Sequence, residues 1–502
     1  MSKIPVIPEY LLLPLSKEEI IADYRLAYQS RQASMIGRRE VLTGKAMFGI
    51  FGDGKEVAQL AIARAFQKGD WRSGYYRDQT WMFALGVIGI RDWLANPLPN
   101  ADEEAEPAGA SRMTTGHYAS RFINPDGTWK NQMEMYNVSA DVSPTGSQMP
   151  RLVGLAYASR LYRELPELQQ FTQFSNEGQE IAWGTIGNAS TAEGMFWEAV
   201  NAIGVLKAPA VITIYDDGYG ISVPNQFQMV KENISAILSG FQRDTTPEDA
   251  CPHGYDIYSV PAWNYPALLE TYWAAAETAR EYHIPALVHV TQVTQPLGHS
   301  TSGSHERYKS AERLKWEEKF DCITLMRNWM LANGIASETE ISQWEEKDRQ
   351  YVEAERKAAW EAFTGPILSE RAELLTILDE LAQNLPQSPE INRTRQKLAA
   401  LHQPVRRDLA ITIHAVLMAT RKFPSPVRQK LLDWKQVQET AQVDRYNSQL
   451  HSDTPKAALT VPEVKPVYSE NSPTVMAFEV LNTCFDVALG RDPRVVAFGE
   501  DV

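Results

Sequence analysis

Residues 179–224, QEIAWGTIGNASTAEGMFWEAVNAIGVLKAPAVITIYDDGYGISVP, constrain the fold more than any other part of the chain. A β-prone run at 180–186 ends on Gly187-Asn188. Ser190-Thr191-Ala192-Glu193 then has the S-x-x-E form of a capping box, in which a hydroxyl and a carboxylate satisfy the free amides that open a helix. Apolar residues at helical spacing fill 193–206, and Pro209 closes the helix. The run 210–215, AVITIY, is nearly continuous in apolar residues, as in strands buried on both faces of a parallel sheet. Strand, crossover helix and parallel strand predict an α/β fold with a parallel sheet flanked by helices. Asn188 and Asp217 then fall at the carboxyl ends of two strands, where such sheets bind ligands.

Both residues are oxygen donors. One carboxylate, one amide oxygen and a backbone carbonyl from the turn would suit Mg²⁺, which takes few protein ligands and completes its shell with phosphate oxygens. A helix opening at Ser190 would offer amides and a positive dipole end to the anion. An Asx-rich turn at each strand end, with no metal, fits the same residues. Taken alone, they leave the two readings open.

The segment resembles the thiamine-diphosphate motif of the decarboxylating component of 2-oxoacid dehydrogenases, a Gly-Asp-Gly followed across a helix and a strand by Asn-Asn. In the family's α-type subunit the motif continues as Gly-Tyr-Ala-Ile-Ser-x-Pro, matched here by Gly218-Tyr219-Gly220-Ile221-Ser222-Val223-Pro224. The chain departs from the pattern twice. Asn188 stands where the family has an acid, and Asp217 where it has an asparagine. The exchange keeps one carboxylate and one amide, so the formal charge of the site is unchanged.

Other stretches extend the resemblance in the family's order across residues 20–330. Gly74-Tyr75-Tyr76-Arg77-Asp78 resembles a Tyr-Arg pair that contacts the cofactor diphosphate, a role suited to the permanent charge and fork of arginine. Gly116-His117-Tyr118 resembles a His-Tyr-Gly segment that lines the active site. Residues 143–150, SPTGSQMP, resemble a turn that holds the cofactor and, in some members, a potassium ion, here near Ser147 and Gln148. Beyond a strand at 286–293, the small-residue loop with Gly298-His299-Ser300 resembles a Gly-His-Ser loop that precedes a Tyr-Arg pair, matched less well by Tyr308-Lys309.

The resemblance implies a transketolase-like thiamine-diphosphate fold. It also implies oxidative decarboxylation of a 2-oxoacid, pyruvate or branched-chain, with acyl transfer to lipoyl groups of a partner acyltransferase. By the same carry-over, Asn188, Asp217 and the Tyr219 carbonyl would hold Mg²⁺. Tyr76, Arg77, Ser143, Thr145, Gly187, Ala189, Ser190, Ile221 and His299 would complete the cofactor site, and His117 and His299 would steer substrate and protons. A catalytic glutamate would come from a β-type domain or subunit, in a homo- or hetero-oligomer.

A decoy precedes these motifs. Residues 49–55 fit the G-x-x-x-x-G-K phosphate loop, but Glu56 replaces the hydroxyl residue that should ligate Mg²⁺. An ATPase built on Lys55 is therefore a minor alternative, beside a non-catalytic scaffold of the same fold. The acidic, Pro-, Ala- and Gly-rich run 98–112 predicts a solvated loop.

From residue 310 the chain reads as helices, at 310–334, at 337–363 behind a Ser337–Glu340 capping box, and at 368–384, 390–402, 406–422 and 425–446. Gly365-Pro366 is expected to break the second from the third. We expect a thiamine-diphosphate domain over 1–310, a helical connector over 311–451 and a Pro-rich linker over 452–473. Residues 474–502 resemble the opening of the β-type subunit, a helix and then a strand at 493–498 ending in Gly-Glu-Asp-Val, and read as its truncated start.

The formal net charge of −14 argues against nucleic-acid binding, which needs basic faces. No run approaches the roughly 20 apolar residues of a membrane span. Cys251, Cys322 and Cys484 lie far apart without metal or redox spacing, which fits free thiols in the cytoplasm.

Overall fold

The computed structural model describes residues 13–113, 116–244, 253–386, 388–448 and 450–498. Among these the strands are β1 (Trp71–Ser73), β2 (Asn137–Val138), β3 (Ala182–Gly187), β4 (Ala210–Tyr215), β5 (Tyr219–Gly220), β6 (Val223–Pro224), β7 (Asp256–Pro261) and β8 (Ala286–Thr291). Six form one parallel sheet in the order β2-β1-β3-β4-β8-β7. β5 and β6 make a small antiparallel hairpin beyond β4. The register of β3 on β4 runs from Ala182 opposite Ala210 to Gly187 opposite Tyr215, so Asn188 and Asp216 leave the sheet side by side.

Both faces of the sheet are covered, which is why its strands are apolar throughout. Trp183, Val211, Val288 and Val290 pack toward helices Lys17–Leu42, Glu56–Ala65 and Tyr265–Tyr282. Their neighbours Ala182, Ile186, Ile212, Ile214 and Leu287 pack toward Gln148–Glu164 and Gly194–Val205. The expected α/β fold is present, and β4 occupies the predicted residues.

Local chemistry moved some boundaries. The capping box expected at Ser190 does not form. Residues Asn188–Ala192 wind into a 3-10 turn, the Glu193 amide donates to the Ser190 carbonyl, and the helix starts at Gly194 with Glu193 as its cap. Ser190 therefore lacks the extended backbone that a capping residue needs. The capping box expected at Ser337 does form. The helix expected over 310–334 is two, Ala311–Lys319 and Cys322–Ala332, because Asp321 caps the second through the Thr324 amide.

Pro366 does not end its helix, which runs unbroken over Glu338–Asn384. Proline disfavours a helix interior by about 3 kcal/mol, and packing on both sides outweighs it. Ile341, Val352 and Ala359 anchor the N-terminal half in the main core, while Ile367, Leu374, Ile377, Leu378 and Leu381 anchor the other half in a separate helical core. The 98–112 loop is not fully solvated either. Glu106 is buried, and its carboxylate accepts the amides of Ala108, Gly109 and Ser111.

Residues 452–473 contain one 3-10 turn, Ala458–Thr460, and the helix that follows spans Ala477–Arg491. The strand expected at 493–498 is absent: these residues have no sheet neighbour, and a strand needs one to pair its backbone. The Gly-Glu-Asp-Val ending and Cys251 lie outside the described residues. Cys322 and Cys484 are free thiols, the first buried and the second exposed. Among the described residues no helix is long and apolar enough to cross a membrane.

Candidate functional site

The carboxyl edge of the sheet opens into a cavity of about 320 Å³. Every central strand contributes to it. Tyr75, Tyr76 and Arg77 follow β1, Gly187 to Ser190 end and follow β3, Tyr215 and Asp217 end and follow β4, and Gln295 and His299 follow β8. The β5–β6 hairpin folds Tyr219 and Ile221 over the opening. Thr145 lines it from the loop that leads into Gln148–Glu164.

Asn188, Asp217 and Tyr219 come together as a donor set. The Asn188 side-chain amide donates to the Tyr219 carbonyl (3.2 Å) and to Asn225 Oδ1 (2.6 Å), which leaves its Oδ1 for a cation. Asp217 Oδ1 accepts the Tyr219 amide (3.1 Å), leaving Oδ2. The Asx-turn geometry is thus real at Asp216 and Asp217, and it coexists with a free oxygen on each metal-candidate side chain. One carboxylate, one amide oxygen and one carbonyl fit Mg²⁺ beside phosphate. Behind them, Asn225 donates to Asp216 Oδ1, Asp216 Oδ2 pairs with His289 Nε2 (3.0 Å), and His289 Nδ1 meets Ser235 Oγ (2.9 Å). This chain orients the Asn188 amide.

Arg77 is buried and divides its donors between Phe51 O (2.6 Å), His299 O (2.8 Å) and His299 Nδ1 (3.0 Å). Because Nδ1 accepts from a guanidinium, the ring proton belongs on Nε2. Burial, then Arg77 and Lys55, push the His299 pKa down to about 3, so the ring is a neutral Nε2–H donor at neutral pH. A fully buried ion cluster fixes the loop that carries Arg77. Arg72 bridges Asp78 (2.7 Å) and Asp141 (3.0 Å), Asp78 accepts Thr185 Oγ1 from β3, and Asp141 accepts the Tyr118 amide.

That last bond also holds His117. Its Nε2 lies 3.0 Å from Ser143 Oγ and its ring 6.3 Å from that of Tyr76, so His117 and Ser143 sit beside the cavity wall and not in it. Gln148 turns away from the cavity, donating to the Thr185 carbonyl, and Ser147 opens its helix. On the other side Lys309 is buried against Glu317 (2.7 Å) and lies over the Tyr219 ring. Arg313 donates to the Asp217 carbonyl (2.6 Å) and also covers Tyr219.

Sequence reasoning missed Lys55, Glu193, Tyr215, Gln228 and Gln295 in the lining. Lys55 carried a signal that pointed elsewhere. The phosphate-loop reading fails because among the described residues no strand precedes it and Glu56 pairs with Arg31 (2.6 Å). Its glycines have another purpose. A Cβ on Gly52 would lie 2.2 Å from the Arg77 carbonyl, and one on Gly54, at φ +84°, 1.7 Å from the Thr294 carbonyl. The loop is wedged between the segments bearing Arg77 and Gln295, and this delivers Lys55 to the cavity. There Nζ donates to Gln295 Oε1 (3.2 Å). Burial and then Arg77 lower its pKa, which Asp217 and Asp53 partly restore, to about 8.

Comparison with known proteins agrees with this geometry. Residues 24–365, more than half of the chain, match the dehydrogenase E1 component family. The 2-oxoisovalerate dehydrogenase subunit alpha of Bacillus subtilis is 27% identical over 336 residues, covering 66% of this chain and 87% of that one. Its mitochondrial counterpart from Dictyostelium discoideum is 26% identical over 329 residues, 65% of this chain and 64% of that one. The mouse mitochondrial subunit is 24% identical over 351 residues, 68% and 69% of the two chains. With the motif-bearing loops gathered on one sheet edge and the match spanning all of them, the chain belongs to the dehydrogenase E1 component family.

Proposed function

We propose that this chain is the α-type part of a thiamine-diphosphate-dependent 2-oxoacid dehydrogenase. The observation that carries the reading is the meeting of Asn188, Asp217 and the Tyr219 carbonyl with Arg77 and His299 in one cavity at the strand ends. On this reading Asn188, Asp217 and Tyr219 O hold Mg²⁺. Tyr76, Arg77, Thr145, Ile221 and the turn from Gly187 to Ser190 would hold the cofactor, with Ser143 behind the wall. When bound, the cofactor supplies the nucleophilic carbon and electron sink that decarboxylation requires.

The chain's own residues then orient and exclude. His299, neutral with its proton on Nε2, donates to an oxygen of cofactor or substrate, and Arg77 holds that tautomer. His117, held by Ser143 behind the Tyr76 ring, would reach the substrate only through the cavity wall and would act there as a secondary proton donor or acceptor. Tyr219, covered by Lys309 and Arg313, would flank the metal. The acyl group passes to a lipoyl disulfide of a partner acyltransferase, which is reduced as the 2-oxoacid is oxidised with loss of CO₂. The names of the relatives favour a branched-chain oxoacid over pyruvate.

We assign residues 1–310 to the cofactor domain, 311–451 to a helical connector, 452–473 to a linker and 474–502 to the start of a β-type domain, with a β-type domain or subunit as partner. Cytoplasmic placement and a potassium ion near Ser147 and Gln148 belong to the same proposal. The test is calorimetric binding of thiamine diphosphate with and without Mg²⁺. Wild type should bind only with the metal, and Asp217→Ala should lose binding while keeping its melting temperature. Unchanged cofactor affinity in Asp217→Ala would sink the metal assignment.

A further inference from the structure

We propose that Lys55 is an oxyanion ligand of this pocket and binds the terminal phosphate of the bound cofactor alongside Arg77. The proposal rests on the reading above only for what carries the phosphate. Lys55 is 3% exposed and shares the cavity wall with Arg77, Asp217 and His299. Three features of its position disfavour its charge. The ammonium is withdrawn from water, it neighbours another cation, and it belongs to the residue that caps the helix Glu56–Ala65, at the positive end of that helix dipole.

Of the nearby carboxylates, Asp217 and Asp53 offset part of the Lys55 charge through space, and neither accepts a hydrogen bond from it. Glu56 is held by Arg31, and Asp53 Oδ2 accepts the Leu297 amide. Among the described residues, the Lys55 hydrogen bond goes to the neutral amide oxygen of Gln295 and not to a carboxylate. An ammonium has three donors, so two remain for a ligand. Arg77 brings one positive charge to a dianionic phosphate, and three of its five N–H donors already serve Phe51 O and His299. A dianionic phosphate would remove all three penalties together and accept from Lys55 and from the remaining Arg77 donors.

The backbone is shaped to hold this lysine in place. Gly52 and Gly54 allow the loop to lie against the Arg77 and Thr294 carbonyls at distances that a Cβ would block. Lys55 is thereby tied to both segments whose side chains face the anion. A purely structural lysine would serve to hold Gln295, and this alternative makes a different prediction.

The test is calorimetry on the 502-residue chain in the presence of Mg²⁺. Its three probes are inorganic pyrophosphate, thiamine diphosphate and thiamine. Lys55→Gln should weaken pyrophosphate and thiamine diphosphate by roughly 10- to 100-fold, the loss expected for a charge-assisted hydrogen bond, and thiamine by less than about twofold. Lys55→Arg should recover most of that loss. Gln295→Ala removes the acceptor and keeps the cation, so its pyrophosphate affinity should stay close to wild type. This variant is informative even if Lys55→Gln fails to fold, since a loss in Gln295→Ala as large as that sought in Lys55→Gln would show a structural role and overturn the proposal. Wild type that does not bind pyrophosphate, unchanged pyrophosphate affinity in Lys55→Gln, or equal losses for thiamine would also overturn it. Wild type that binds pyrophosphate through Lys55 but does not bind thiamine diphosphate would leave the oxyanion role standing and defeat the thiamine reading.

Discussion

The edge of the sheet and the helices beyond residue 367 handle charge in opposite ways. In the helical region cations sit on the surface beside carboxylates, as with Lys430 and Glu380 (2.7 Å) and Arg393 and Glu390 (2.6 Å). At the sheet edge Lys55 and Arg77 are buried and hydrogen-bond to neutral groups, while Arg72, Asp78 and Asp141 form a cluster sealed from water. Paired surface charge keeps a helix soluble at little cost. Buried charge without a matching partner is expensive, and persists where a ligand or a reaction makes use of it.

Breaking the buried cluster should have the largest effect. Asp141→Ala leaves Arg72 with one carboxylate in a dry site and removes the acceptor of the Tyr118 amide. Loss of one partner from such a cluster costs about 3–5 kcal/mol, so denaturant unfolding should show the variant close to unfolded. Glu380→Ala, in the exposed pair, should shift the same curve by less than about 1 kcal/mol. Similar costs for the two substitutions would erase the distinction.

His299 gives a smaller effect that depends on pH. Its folded pKa of about 3 lies below the ordinary 6.5, so the unfolded chain takes up a proton first as pH falls. Its contribution is intact above pH 6.5 and is lost between 6.5 and 3, with a slope of at most about 1.4 kcal/mol per pH unit. His299→Asn should therefore flatten the acid side of the melting-temperature profile over that window. A profile that is unchanged would mean that the ring is exposed to solvent.

The same comparison explains what could be read from the sequence. β4 was legible to the residue because burial on both faces of the sheet demands an unbroken apolar run. The loops around Arg77, Asn188, Asp217 and His299 were legible because each follows a recognisable strand or motif. Lys55 was not, since its glycines have the spacing of a phosphate loop and only the approach of Thr294 and Arg77 reveals their purpose. The Ser190 capping box failed for a local reason, because a 3-10 turn took the residues that it needed. Pro366 failed for a tertiary one, as two cores hold the helix on either side of it.

The central claim is that Asn188 and Asp217 hold one metal ion, with their roles exchanged relative to the family pattern. A double-mutant cycle tests it most directly, by measuring Mg²⁺-dependent thiamine diphosphate affinity in Asn188→Asp, Asp217→Asn and the combined variant. Asn188→Asp places two carboxylates near a diphosphate, and Asp217→Asn leaves none. The combined variant restores a single carboxylate, although it sets that carboxylate against Asn225, which now accepts from the Asn188 amide. It should therefore fall short of wild type yet bind better than either single variant, with a coupling of about 0.5–3 kcal/mol. Losses that simply add in the combined variant would show that the two residues do not share an ion, and would contradict the account.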